Sequence, residues 1–210
     1  MVNGVHVLPN FFDEALADRV REYLLGDPTW YYAFADISLP DVEQNQPAIR
    51  EAMGRAETAC VAGQQLAYRF RRTIGHEGTS DCGCAVCDAC VAITSPHTLA
   101  RVKDATGFAD LKRHTMFASC YVGGDFLSTH SDGGLGRIAF VWNLTKNWLP
   151  QLGGSLHVLQ HDWVNTDIVV PPTYNSLALF DVSGPGRPHF VSQVANGVTN
   201  KRLAISGWFA

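Results

Sequence analysis

From His114 onward the chain keeps one cadence, in which short runs of β-branched and aromatic residues alternate with turn residues. The runs fall at about 114–122, 125–130, 137–145, 154–160, 166–170, 175–182, 188–194 and 202–209. Between them stand Gly123-Gly124-Asp125, Gly133-Gly134, Gly153-Gly154, Pro171-Pro172, Gly184-Pro185-Gly186 and Asn196-Gly197, residues that supply a positive or a fixed φ where the chain must reverse. Strands this short bury little alone, so eight of them at regular spacing must close on one another as a sandwich or jelly-roll barrel. The first half reads differently. Phe11, Phe12, Leu16, Val20, Tyr23 and Leu24 recur at helical spacing over 10–25, with Asp13 placed as N-cap and Gly26-Asp27-Pro28 as the stop. An Ala-, Glu- and Arg-rich stretch from about Val42 to Cys60 predicts a second helix starting near Pro47. Residues 64–73 read as a strand, 75–96 as a long Cys-rich loop, and 97–112 as one or two short helices. The expectation is a mainly β fold with flanking helices, in a single domain over 1–210: a helical support region at 1–113 and a β core at 114–210.

With 16 Lys+Arg against 20 Asp+Glu the net charge is −4, which argues against a nucleic-acid partner held by phosphate neutralisation and against an acidic membrane surface. No run approaches the ~18 apolar residues of a membrane span. Met1 to Phe12 has neither a basic n-region nor a long apolar h-region, so the expected compartment is the cytoplasm. The oligomeric state is not legible in the sequence.

One constellation carries chemistry. His130-Ser131-Asp132 ends a predicted strand, and a strand turns side chains i and i+2 to one face, so an imidazole and a carboxylate can meet one ion there. His189, 57 residues after Asp132, opens another predicted strand and is the third candidate ligand. Two imidazoles and one carboxylate on one face of an octahedron leave three positions open, the facial arrangement of non-haem Fe(II) oxygenases. With 8 His and 14 Asp in 210 residues a His-x-Asp triplet arises by chance in about half of such chains, so the triplet alone does not make a site. Arg202 adds weight: it opens the apolar run Arg202–Phe209, and a buried guanidinium needs a paired anion. That anion is either an Asp of the protein or the distal carboxylate of a bound 2-oxo acid, which the guanidinium fork grips bidentately.

Over 116–209 the chain resembles the prolyl-hydroxylase-type branch of the Fe(II)/2-oxoglutarate dioxygenases, with spacing nearest to bacterial relatives of a yeast translation-termination-associated dioxygenase. The residues that carry the resemblance are Tyr121-x-x-Gly124-Asp125-Phe126-Leu127-x-x-His130-x-Asp132, Arg137, Asn143-Leu144-Thr145-x-x-Trp148, Gly153-Gly154-x-Leu156, Pro171-x-x-Tyr174-Asn175-x-Leu177-x-Leu179-Phe180, Pro188-His189-x-Val191-Ser192-x-Val194, Arg202 and Gly207-Trp208. The resemblance implies a double-stranded β-helix (a cupin-like jelly roll) with helices on one sheet. It implies His130, Asp132 and His189 as Fe(II) ligands, Arg202 on the 2-oxoglutarate C5 carboxylate and Tyr121 facing that co-substrate. It also implies O2 as oxidant, ascorbate as reductant, and hydroxylation of a prolyl or other residue, a free amino acid or a small metabolite. One position departs: Ala204 stands where many members have a Ser whose hydroxyl also bonds the carboxylate, which leaves either a substitute hydroxyl from Tyr121 or Thr129 or the use of another 2-oxo acid. Asp132 argues against the halogenases of this class, which lack that carboxylate.

The resemblance leaves Cys82-x-Cys84-x-x-Cys87-x-x-Cys90 unexplained. Four thiolates could wrap one zinc ion, with His76 or His97 replacing one of them, and such a site would staple a lid over the barrel mouth; free thiols or a labile disulfide are the alternatives. Two other classes compete with the oxygenase. A non-catalytic jelly-roll module binding a peptide or small ligand would have lost one of His130, Asp132, His189 or Arg202, and a cupin thiol dioxygenase would carry a third His in place of Asp132.

Overall fold

In the computed structural model the described residues are 4–26, 29–36, 38–40, 46–73 and 83–210, and they form twelve strands and four helices. The strands are β1 Val5–Leu8, β2 Tyr31–Phe34, β3 Ser38–Pro40, β4 Tyr68–Arg72, β5 Arg113–Tyr121, β6 Phe126–His130, β7 Ile138–Asn143, β8 Leu156–Leu159, β9 Thr166–Val170, β10 Ser176–Asp181, β11 His189–Val191 and β12 Arg202–Phe209. The helices are α1 Glu14–Leu25, α2 Pro47–Val61, α3 Ala85–Ile93 and α4 Pro96–Thr106. All ladders are antiparallel, and the sheet runs β1-β10-β7-β12-β5-β4-β6-β11-β8-β9, with β2 paired to β3 and β4. This is the expected mainly β roll with helices on one side.

Alternation along the strands decides which face each residue serves. On β12, Leu203, Ile205 and Phe209 pack outward with Met116, Ala118 and Cys120 of β5 and Ile138, Phe140 and Trp142 of β7. That apolar layer receives Val20 and Leu24 of α1, Val86, Ala89 and Ile93 of α3 and Val102 of α4. Each such aliphatic side chain contributes about 1.5–3 kcal/mol on full burial. The opposite faces of the same strands, Arg202, Ser206 and Trp208 of β12 and Phe117, Ser119 and Tyr121 of β5, turn into the roll and line a cavity. At Gly207 a Cβ would overlap the Thr115 carbonyl and the Phe140 ring, so β12 and β5 approach this closely only with glycine there.

Local signals read from the sequence are realised in the helices. Asp13 caps α1, its Oδ1 accepting from Ala15 N at 3.0 Å and Leu16 N at 3.3 Å. Pro47 sits at the first turn of α2; the cap of α4, which was not anticipated, is Ser95, accepting from Thr98 N at 3.2 Å. The stop at Asp27-Pro28 lies outside the described residues. One expectation needs correction. The second part of the anticipated 75–96 loop is the helix α3, which packs on α1 and β5 within the outer apolar layer, so that part does not lie over the barrel mouth as a lid; residues 75–82 lie outside the described residues. Val86, Ala89, Cys90 and Ile93 recur at 3 and 4 residue steps, a helical stripe that the density of cysteines obscured.

The strands β1, β2 and β3 are additional to the expected set. β1 exists through its partner, pairing Val5 with Phe180 and Leu8 with Leu177, and four residues carry too little period to announce it. A charged cluster was also hidden in the sequence. Asp125, fully buried, accepts from Val122 N at 2.9 Å and lies 3.3 Å from Arg69 Nε and 3.6 Å from Arg71 Nη1. It ties the turn after β5 to the face of β4 that points away from the cavity. Gly124 stands in that turn at φ +85°, a backbone conformation that L side chains rarely adopt.

Candidate metal centre

The three metal-ligand candidates converge. β6 and β11 are neighbours, and His130 and His189 are direct register partners across that ladder, with ring centroids 4.2 Å apart. Asp132 lies beyond the end of β6, in the following turn, and reaches back between the rings: Oδ1 is 3.4 Å from His130 Nε2 and Oδ2 is 3.4 Å from His189 Nε2. One donor atom from each of the three lies within 4.8 Å of the others, the group that meets this criterion among the described residues. Relative exposures of 7%, 7% and 4% for His130, Asp132 and His189 leave little water to solvate them.

The surroundings prepare these side chains for a cation. His130 Nδ1 lies 3.0 Å from the Ser128 carbonyl and His189 Nδ1 lies 2.9 Å from the Arg187 carbonyl, each two residues back along the chain. A carbonyl only accepts, so each Nδ1 carries the proton and each Nε2 presents a lone pair to the centre. Trp208 Nε1 donates to Asp132 Oδ2 at 2.9 Å, holding the carboxylate in place. Burial pushes the Asp132 carboxyl up, but its contacts with the two imidazoles outweigh this and hold it well below the usual carboxylate range. Two imidazole nitrogens facing a buried carboxylate across 3.4 Å call for positive charge between them, whether as ring protons or as a metal ion. The donor set therefore fits a divalent ion of borderline softness, held on one face with the cavity side open.

That cavity, about 210 Å³, joins the triad to Arg202 and Tyr121. Arg202 is 2% exposed. Its Nε donates to the Gly154 carbonyl at 3.1 Å and its guanidinium lies 4.9 Å from the centroid of the Tyr121 ring. Among the described residues no carboxylate pairs with it, and burial draws its pKa below the ordinary arginine value. A desolvated cation without a protein anion costs several kcal/mol, and the cavity it opens onto is where an anion can relieve that cost. Burial also pushes the Tyr121 hydroxyl up, so it stays protonated and able to donate.

Ser119, the register partner of Ala204 across β5 and β12, lines the same cavity, as does Ser206, and its Oγ donates to the Ala204 carbonyl at 3.4 Å. Thr129, one of the two expected substitutes, instead lines a separate groove of about 420 Å³ between the end of α2 and β6–β11, which holds none of the triad. Ser119 was legible in principle: Phe117, Ser119 and Tyr121 alternate on one face of β5. Asn143 bonds Ser176 Oγ at 3.2 Å and is not part of the lining. His157 stacks on Phe190 at 4.4 Å, away from the centre. Of the cysteines, Cys84, Cys87 and Cys90 are carried at the start and along the length of α3, while Cys82 and His76 lie outside the described residues.

Residues 116–210 match the family described as the 2OG-Fe(II) oxygenase superfamily. A curated relative, prolyl 3-hydroxylase OGFOD1 of Mus musculus, is 38% identical over 104 residues, which is 45% of this chain and 18% of that protein. The chain thus spans under a fifth of that relative's length. Among solved structures, a prolyl hydroxylase of Trichoplax adhaerens in complex with a hypoxia inducible factor peptide fragment superposes with TM-score 0.63 at 19% identity, covering 99% of this chain and 83% of that one. An oxidoreductase of the 2OG-Fe(II) oxygenase family from Burkholderia pseudomallei gives 0.66 at 13% identity, covering 99% and 85%. HygX of Streptomyces hygroscopicus, solved with nickel and 2-oxoglutarate bound, gives 0.57 at 12%, covering 99% and 82%. At these identities the superpositions speak to the fold.

Proposed function

Taking residues 116–210 as a domain of the 2OG-Fe(II) oxygenase superfamily, we propose that the chain is an Fe(II)- and 2-oxoglutarate-dependent hydroxylase acting on an unactivated C–H bond, with a prolyl residue of a peptide or protein as the leading substrate class. The observation that carries this is the pairing, in one cavity, of the His130–Asp132–His189 donor set with the uncompensated guanidinium of Arg202. A metal triad alone fits many reactions. A buried cation beside it, free of protein anions among the described residues, calls for a second, anionic ligand at a fixed distance from the metal. The prolyl preference rests on the mouse relative and on the aromatic wall of Phe70, Phe117 and Trp208, which suits an apolar ring.

His130 Nε2, His189 Nε2 and an Asp132 oxygen would hold the iron. Bound iron supplies the activation of O2, coupled to oxidative decarboxylation of the 2-oxo acid to succinate and CO2. Arg202 grips the distal carboxylate of the co-substrate through its fork, and Tyr121 and Ser119 line the same space. Trp208 keeps Asp132 oriented through its indole N–H, and the aromatic wall excludes water from the reacting face. Ascorbate serves as reductant and the cytoplasm is the place of action. Among the described residues no helix is long and apolar enough to cross a membrane. Residues 1–113 act as support for the 114–210 core, a reading favoured by the apolar layer the two parts share.

The test is succinate release from 2-oxoglutarate with Fe(II) and ascorbate, first without substrate and then with prolyl peptides, read by mass for the gain of one oxygen. Turnover is expected in wild type and absent in D132A. Undiminished turnover in D132A, or no binding of 2-oxoglutarate by iron-loaded protein, overturns the reading.

A further inference from the structure

Arg202 shares its cavity with a second arginine. β4 sends Tyr68, Phe70 and Arg72 into that space, three residues at steps of two on one strand face. Phe70 stacks on Tyr121 with ring centroids 4.9 Å apart, and Arg72 is the register partner of Ser119 on β5. Ser119 and Arg202 are fully buried, whereas Arg72 and Tyr68 are partly exposed and the exposed Leu66 and Leu135 line the same space. Arg72 therefore stands toward the open side of the cavity and Arg202 at its closed end. Within the protein little answers the charge of Arg72. Among the described residues it makes no ion pair; its Nη2 donates to Ser38 Oγ at 3.4 Å, the long limit of such a bond, and its buried Nε has no hydrogen-bond partner. Asp36, just after β2, is engaged by Arg55 at 3.0 Å. Among the described residues lining the cavity, Asp132 is the one carboxylate. A divalent ion with Asp132, and Arg202 with a dianionic 2-oxo acid, together make a neutral set. The charge of Arg72 is left over, on the side from which a substrate arrives. Burial keeps the Tyr68 hydroxyl protonated, so it adds a donor on the same strand face.

We propose that Arg72 is a substrate-recognition residue, selecting a substrate that carries a carboxylate close to the carbon to be hydroxylated. This rests on the oxygenase reading, in which Arg202 and the triad take up the co-substrate. The Phe70 and Phe117 rings receive the apolar part of the substrate, and the Arg72 fork grips its carboxylate. A neutral substrate would cover the guanidinium and leave its N–H groups without a partner, and that penalty is what discriminates. The carboxylate belongs to an acidic residue beside the reacting one in a peptide, or it is the α-carboxylate of a free amino acid. Both present the same group to the fork.

The experiment is calorimetric binding to the full chain loaded with 2-oxoglutarate and a redox-inert divalent ion. The probes are two end-blocked peptides, one with Glu and one with Gln on both sides of a proline, and free L-proline beside prolinamide, whose carboxylate is masked. Wild type should bind the carboxylate member of one pair at least about tenfold more tightly than its neutral twin, and the pair that shows this identifies the source of the carboxylate. R72Q should lose the preference, and R72K should keep part of it, because an ammonium retains the charge and loses the fork. Both variants should bind 2-oxoglutarate within threefold of wild type, which also reports that the cavity is folded. Wild type without a preference in either pair overturns the proposal, and this comparison needs no substitution. So does a preference that survives in R72Q, or a loss of 2-oxoglutarate affinity in folded R72Q, which would put the co-substrate on Arg72. Failure of the oxygenase reading is seen separately, as wild-type protein that binds no 2-oxoglutarate.

Discussion

Replacing Arg202 with Met should move ligand affinity and protein stability in opposite directions. Met approximates the length of the arginine stem and carries no charge. In wild type the guanidinium is 2% exposed and has no protein carboxylate partner among the described residues. The co-substrate's distal carboxylate is then the anion it is built for. Truncating one partner of a buried, hydrogen-bonded charge pair costs about 2–5 kcal/mol, which at ~1.4 kcal/mol per tenfold is a loss of roughly 30- to 4,000-fold in 2-oxoglutarate affinity. Without ligand the same substitution removes an uncompensated buried cation, so the unfolding midpoint should stay level or rise. The assay is thermal unfolding and calorimetric titration with 2-oxoglutarate, using a redox-inert divalent ion at the triad. Wild type should gain about 2.7 kcal/mol at a ligand concentration of 100 Kd, and R202M under about 1 kcal/mol at that same concentration. R202K should fall between them, because an ammonium keeps the charge and loses the fork. Binding by R202M within threefold of wild type would refute the argument. A large drop in its ligand-free stability would refute it as well, by showing that the guanidinium is satisfied within the protein.

Further expectations concern the centre and its frame. W208F removes the N–H that bonds Asp132 Oδ2 at 2.9 Å and should weaken Fe(II) binding by about 10- to 100-fold with little change in fold, read by metal titration and circular dichroism. Because the Asp132 carboxyl is held well below the usual range, it stays ionised, and protons compete with the metal at the two imidazole Nε2 atoms. Metal affinity should therefore fall as the pH is lowered, and affinity that is flat or rises on acidification would count against the ligand set. In metal-free protein the depressed Asp132 contributes stability above roughly pH 4 that is lost on further acidification, a loss D132N should not show. G207A should destabilise by roughly 1–3 kcal/mol in denaturant unfolding, since its Cβ would meet backbone that cannot yield. G54A, in open space within α2, should stabilise by about 0.5–1 kcal/mol.

Much of the β core could be read because its signals are local. Each strand from β5 to β12 has a run of alternating or β-branched residues bounded by glycine, proline or asparagine, and each of these acts on the chain beside it. Asp13 and Pro47 mark helix starts by equally local means: Asp13 bonds N–H groups two and three residues on, and the Pro47 ring fixes a helical φ in the first turn. β1 and α3 could not be read in this way. β1 is held by β10, some 170 residues further along the sequence, and α3 has a stripe that reads as helical once the apolar layer it covers is in view. The Asp125 cluster was hidden because nothing in Gly123-Gly124-Asp125 announces that Arg69 and Arg71 arrive from another strand.

For the site, the residue types and their order were set by the chain itself: a His-x-Asp pair, a later His and an Arg opening an apolar strand. These define which chemistry is available, because ligand hardness and guanidinium geometry are properties of single side chains. Tertiary structure decided where that chemistry acts. The pairing of β6 with β11 sets His130 against His189, Asp132 reaches them from a turn rather than from the strand, Trp208 locks it from β12, and Ser119 faces the cavity beside Ala204 from β5. Distances between residues far apart in sequence depend on which strands become neighbours, and strand pairing is a choice made by the whole sheet.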